Sequence, residues 1–166
     1  MKSILTIIIC LVASLNLSAQ SFLGKWEQPA HQEKFGIKVD VIETLDFLEG
    51  GDFDDEVIMM MEVADNKDKM NHLKWKITSR GRWTLDGEVI TETFDPQTIR
   101  IQLLDKPGSF PGFLVSILDK IVLSEFKRQT RKPVCYQIMS VTESSLKLKP
   151  LGPDEDPALG SYTRKN

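Results

Sequence analysis

Arg82-Trp83-Thr84-Leu85-Asp86-Gly87-Glu88-Val89-Ile90 decides the fold class. Asp-Gly between β-favouring flanks is a hairpin signal. Glycine supplies the positive φ that a type I′ turn demands, and that turn's twist matches paired antiparallel strands. With Asp86-Gly87 as a two-residue loop, Leu85 pairs with Glu88, Trp83 with Ile90 and Gly81 with Glu92. Trp83, Leu85, Ile90 and Phe94 then share a face. Gly81 reads as a bulge or sharp bend, because a residue without a side chain weakens a regular strand.

The β rhythm extends to both sides of this hairpin. Upstream, Val39 to Phe47 alternates with Val39, Val41, Leu45 and Phe47 on one face. Glu49-Gly50-Gly51-Asp52 turns the chain into Phe53 to Val63, where Val57, Met59, Met61 and Val63 share a face and Ile58 and Met60 take the other. Two apolar faces imply a strand partly covered on its outer side. After the polar loop 65–69, Leu73, Trp75 and Ile77 alternate with Lys74, Lys76 and Thr78. Downstream, Ile99-Arg100-Ile101-Gln102-Leu103 follows the Asp95-Pro96 turn. Val134 to Val141 and Leu146 to Lys149 form a second hairpin across Thr142-Glu143-Ser144-Ser145, and Gly160 to Arg164 is a short closing strand.

Between Pro107 and Pro133 the period changes. Phe113, Ile117, Ile121 and Phe126 recur near helical spacing, with Leu114, Leu118 and Val122 widening the stripe. Proline is tolerated at a first helical turn, and Lys127, Arg128, Arg131 and Lys132 complement the dipole at the far end. One amphipathic helix is predicted near residues 111–128, lying on the barrel or plugging one end. The whole pattern predicts a mainly β, up-and-down antiparallel barrel of about eight to ten strands with one helix, closed so that no sheet edge is left open.

The first 20 residues are set apart. Lys2, the apolar run Ile4 to Ala13 and the exit Ser18-Ala19-Gln20 have the three parts of a secretory signal, and the run is too short to span a bilayer. Cys10 lies inside that run behind Ile9, which disfavours a lipid anchor. Residues 21–166 are then one exported domain, periplasmic or secreted, and losing Lys2 leaves it one charge more acidic than the −3 of the whole chain. That balance argues against nucleic acid, which calls for a basic stripe. Cys135 is the single cysteine after the signal, so the domain forms no internal disulfide and stability rests on its core.

Three stretches carry a family resemblance: Phe22-Leu23-Gly24-Lys25-Trp26-Glu27, Gly81 to Ile90, and Tyr136 to Leu148. In this order they resemble the lipocalin-like (calycin-type) domains of small secreted bacterial proteins, especially those of Bacteroidetes-type bacteria. The resemblance implies a barrel whose first Trp closes one end beneath an Arg from the chain's end. Here that means Trp26 and Arg164, with Lys165 as the substitute. A guanidinium over an indole contributes roughly 0.5–2 kcal/mol. The helix departs from the family pattern, since it precedes the last strands.

Alternation gives the candidate cavity lining: Val41, Leu45, Val57, Met59, Met61, Trp75, Ile77, Trp83, Ile90 and Phe94, with Glu43 and Glu92 also inward. A barrel of about eight strands has room for its own side chains or for one small ligand. The two glutamates either orient a polar ligand head, or sit at the rim or against a basic side chain. His31 and His72 have no ligand-spaced neighbours and read as surface residues. Asp52 to Glu56 lacks calcium-loop spacing and reads as a solvated hairpin tip, as does Asp154-Glu155-Asp156. Cys135 reads as an inert strand thiol. No catalytic, cofactor or metal motif is present. The expected function is a non-enzymatic, exported binding protein for a small hydrophobic or amphipathic ligand. The alternative is a packed barrel acting as a protein- or envelope-interaction module through the helix or the loop from Pro150, with Phe113, Ile117 and Phe126 exposed as an apolar patch. Membrane contact is not expected, because the helix dipole already accounts for the basic cluster.

Overall fold

The computed structural model describes residues 22–34, 37–64, 70–108, 110–152 and 160–165. The signal-like stretch, the polar loop 65–69 and Asp154-Glu155-Asp156 lie outside the described residues. In chain order the elements are β1 (Gly24–Lys34), β2 (Ile37–Phe47), β3 (Asp52–Ala64), β4 (Met70–Asp86), β5 (Val89–Phe94), β6 (Arg100–Asp105), α1 (Gly112–Gln129), β7 (Val134–Val141), β8 (Ser145–Pro150) and β9 (Gly160–Arg164).

Eight strands close into an antiparallel barrel, running β1–β2–β3–β4–β5–β7–β8–β9 and back to β1. Closure is made by two residue pairs, Trp26 with Arg164 and Glu27 with Thr163. The 17-residue β4 has the length to serve three neighbours. It pairs with β3 along one edge, with β5 through Gly81 to Asp86, and with β6 through Lys74 to Thr78. A register shift between Lys74 and Trp75 marks that last junction.

The hairpin that announces the fold differs in register from the sequence expectation. Asp86 pairs with Val89, Leu85 with Ile90, Trp83 with Glu92 and Gly81 with Phe94. The turn residues are Gly87 and Glu88, with Gly87 at φ +59. A shift of two keeps every side chain on its expected face, because strand side chains alternate with period two. Gly81 is no bulge: β3 stays in register through it, and β5 pairs in register up to it. A Cβ there would stand 2.3 Å from the Thr93 carbonyl oxygen and 2.6 Å from the Phe53 ring. Glycine at this position lets Phe53 and Phe94 meet edge to face, with centroids 5.0 Å apart.

α1 packs one face against inward-facing side chains at one end of the barrel. Val122, Leu123 and Phe126 lie against the inward-facing Val41, Val57, Ile77, Ile99 and Ile101. Val115 and Leu118 lie against Leu73, Trp75, Met59, Met61 and Leu103. The Trp75 indole N–H donates to Asp119 Oδ1 at 2.7 Å, fixing the helix to the wall. The phase of the helix corrects the sequence reading. The single stripe of the sequence reading is split: Phe126 turns to the barrel and meets Phe94 edge to face, whereas Phe113, Ile117 and Ile121 are exposed, so of the alternative's apolar patch Phe113 and Ile117 lie outside and Phe126 does not.

Candidate functional site

The barrel wall directs two apolar clusters inward. At one end Phe22, Trp26, Leu45, Phe47, Phe53, Ile90, Leu146, Leu148 and Tyr162 form a buried group, with Trp83, Leu85 and Phe94 against it. Phe22 and Phe47 rings lie 4.2 Å apart, and Trp83 meets Phe47 edge to face at 6.0 Å. Arg164 seals this end. Its guanidinium carbon sits 4.3 Å from the centroid of the Trp26 ring, and its Nη1 donates to the Leu23 carbonyl at 2.9 Å. The Trp26 indole N–H donates to the Phe22 carbonyl at 2.8 Å. Gly24, at φ +108, is required here. A Cβ would come within 2.9 Å of Arg164 Nη1. Lys165 instead pairs on the outside with Glu27. The other end is the half that α1 packs against.

A polar layer lies on the seam between the two clusters. Along β2, Glu43 stands between Val41 of the helix half and Leu45 of the aromatic half. Along β3, Asp55 stands between Val57 and Phe53 in the same way. Ser79 occupies the matching place on β4, where it is register partner to Asp55. Glu92, on β5, is 1 % exposed. Two short hydrogen bonds tie part of this layer together: Tyr162 Oη donates to Glu43 Oε2 at 2.8 Å, and Ser79 Oγ donates to Asp55 Oδ2 at 2.9 Å. Asp55 Oδ1, Glu92 Oε1 and Gln28 Oε1 are buried without a hydrogen-bond partner. The Gln28 oxygen is an acceptor; the Asp55 and Glu92 oxygens are acceptors only while ionised, since a protonated carboxyl also carries one O–H donor.

Electrostatics follows from burial. Desolvation raises the Glu92 carboxyl well above its usual range, and Glu43 and Asp55 push it further. Asp55 is raised well above normal by burial first, then by Glu43, while the Ser79 hydroxyl pulls the other way. Burial also raises Glu43, opposed by the Tyr162 hydrogen bond. Tyr162 is held well above its ordinary value by burial and by Glu43. Burial, with the charge of Glu43 acting on both Asp55 and Glu92, favours the protonated form of these carboxyl groups.

The structure places each sequence-predicted lining residue on the inward face and divides the set in three. Val41, Val57, Met59, Met61, Trp75 and Ile77 lie under α1. Leu45, Trp83, Ile90 and Phe94 belong to the aromatic end. Glu43 and Glu92 belong to the polar layer. Asp55 corrects the sequence reading: it is buried in that layer, not at a solvated tip, and its alternation with Phe53 and Val57 is the signal that places it. His31 is exposed against Asp40 at 2.6 Å, and His72 is exposed opposite Glu62. Cys135 is half-buried, with its sulfur 3.5 Å from Thr91 Oγ1. Among the described residues no group of three or more His, Cys, Asp or Glu is placed to hold a metal ion.

On the outside, a groove of about 690 Å³ crosses the strands from Lys25 to Arg100. Its charges answer one another: Lys25 faces Asp46 at 3.8 Å and Arg80 faces Asp54 at 3.0 Å. Exposed pairs of this kind add little stability and leave no net demand for a ligand. No family model matches the chain, and no curated protein matches it.

Proposed function

We propose that this chain is an exported, non-enzymatic, lipocalin-like binding protein. Its barrel takes a small amphipathic molecule whose polar end meets Glu43, Asp55 and Glu92. The observation that supports this reading most is the buried carboxyl layer, in which Asp55 and Glu92 each keep an oxygen unpaired. Unpaired buried polar atoms cost free energy, typically about 1–3 kcal/mol each. A cationic head bearing N–H donors would draw these carboxyl groups to the ionised form, satisfy their oxygens and offset the repulsion among them.

The rest of the interior suits such a molecule. Trp83, Phe94 and Phe126 offer ring faces and edges beside the layer, and Met59 and Met61 are adaptable side chains that repack around a guest. Access would come through the half that α1 packs against, because Arg164 and Trp26 close the opposite end. Native mass spectrometry of the intact protein against amphiphiles with ammonium, neutral and carboxylate heads tests the reading. A one-to-one complex with the ammonium member is expected. No adduct with any of the panel would overturn it.

A further inference from the structure

α1 carries apolar side chains on two opposite faces, and the barrel explains only one. Val115, Leu118, Val122 and Phe126 face the wall. At 3.6 residues per turn, Phe113, Ile117 and Ile121 fall within about 80° of one another on the far side. They are 67 %, 49 % and 57 % exposed. Exposed large hydrophobic residues are ordinary when scattered, but three in one stripe on one helix form a patch.

The charges on that face select what covers it. Lys120 and Lys127 project from the same side as the stripe by the same helical count, and the exposed Arg131 and Lys132 follow the helix end. The helix's two acids are already engaged: Asp119 accepts from Trp75 inside, and Glu125 is held by Arg128. A helix surface of Phe and Ile flanked by lysines and arginines matches an anionic bilayer interface, where rings and aliphatic chains enter the acyl boundary and ammonium groups stay at the phosphates. No helix among the described residues is long and apolar enough to cross a membrane, so α1 would lie in the plane of the surface. We infer that the outer face of α1, centred on Phe113, Ile117 and Ile121, docks the barrel on an anionic phospholipid surface. Because the same helix packs against the ligand-accessible half of the barrel, docking would hold that half against the membrane.

Sedimentation of the intact protein with vesicles of phosphatidylcholine alone, and of phosphatidylcholine mixed with phosphatidylglycerol, tests this. Binding should need the anionic lipid and weaken in high salt. Neutralising Lys120 and Lys127 (K120Q and K127Q) should cost about fivefold each. The triple change Phe113→Ser, Ile117→Ser, Ile121→Ser should cost more than about tenfold. These positions are exposed, so circular dichroism of the variants should match the parent. Equal binding to both vesicle types, or undiminished binding by the triple variant, would overturn the inference. So would an absence of vesicle binding with dimerisation that the triple variant abolishes, which would assign the stripe to a second copy of the chain. None of these outcomes depends on the interior ligand.

Discussion

The Tyr162 hydroxyl donates to Glu43 across a sequence separation of 119 residues, linking the last strand to the second inside the closed barrel. That bond belongs to the layer containing Asp55 and Glu92, and the layer gives the fold a definite pH dependence. All three carboxyl groups titrate higher folded than unfolded. The native state therefore binds more protons, and its stability is fullest below the unfolded carboxylate range near about pH 4 and declines as pH rises through the folded values. Glu125 has the opposite sign. Side-chain hydrogen bonds from Arg128 and Gln129 hold it at about 2, so its contribution disappears only on strong acidification. Scanning calorimetry across this range should show the melting temperature falling toward neutral pH. Glu92→Gln and Asp55→Asn should flatten the fall, and identical slopes in wild type and variants would refute the assignment.

Arg164 should matter beyond its charge. Arg164→Ala removes the cation–π contact with Trp26 and the donor to Leu23, an expected loss of about 1–3 kcal/mol in urea denaturation. Arg164→Lys should recover only part of it, because an ammonium lacks the planar fork that stacks and donates together. Full recovery by lysine would show that charge alone is what counts there.

Gly81→Ala should be among the most damaging small substitutions in the sheet. The added methyl meets the Thr93 carbonyl, which belongs to the neighbouring backbone and cannot swing aside. A loss of about 1–3 kcal/mol is expected. Pairing it with Phe53→Leu should not restore stability, since the carbonyl contact remains. A rescued double variant would place the obstruction in the ring instead.

Beside its apolar packing, α1 is tied to the wall by the hydrogen bond from Trp75 to Asp119. Asp119→Ala leaves the Trp75 indole N–H buried without an acceptor, at a cost of about 1–3 kcal/mol. Hydrogen exchange should accelerate across Gly112–Gln129 more than in β7 or β8. Asp119→Asn keeps an acceptor and should stay close to wild type. Uniform acceleration through the whole chain would mean that α1 does not open as a separate unit.

Much of the wall was legible because alternation survives local error. The Asp86-Gly87 hairpin is displaced by two residues from its expected register, yet Trp83, Leu85, Ile90 and Phe94 still share the inner face. Asp55 was hidden by composition: four acids within Asp52 to Glu56 look solvated, although parity with Phe53 and Val57 turns one of them inward. The phase of α1 was not decidable from periodicity, since two apolar stripes fit one helix and only the partner surface chooses between them. Much of β1 was illegible for a related reason. Pro29, His31 and Glu33 carry no strand pattern of their own, and pairing with β2 supplies the order. The Trp26–Arg164 closure came from the family resemblance, because no local pattern links residues that far apart.

The central claim is that the buried carboxyl layer receives a donor-bearing, cationic ligand head. Its most direct test is calorimetric titration of the intact protein with octylamine and with octanoate, repeated in buffers of different ionisation enthalpy. An ammonium group entering the layer should draw the carboxyl groups toward ionisation, so saturable octylamine binding should release protons and give a buffer-dependent heat. Glu92→Gln and Asp55→Asn should weaken it, and octanoate should give no comparable signal. Octylamine binding with no proton exchange and no sensitivity to either substitution, or no binding at all, would contradict the account.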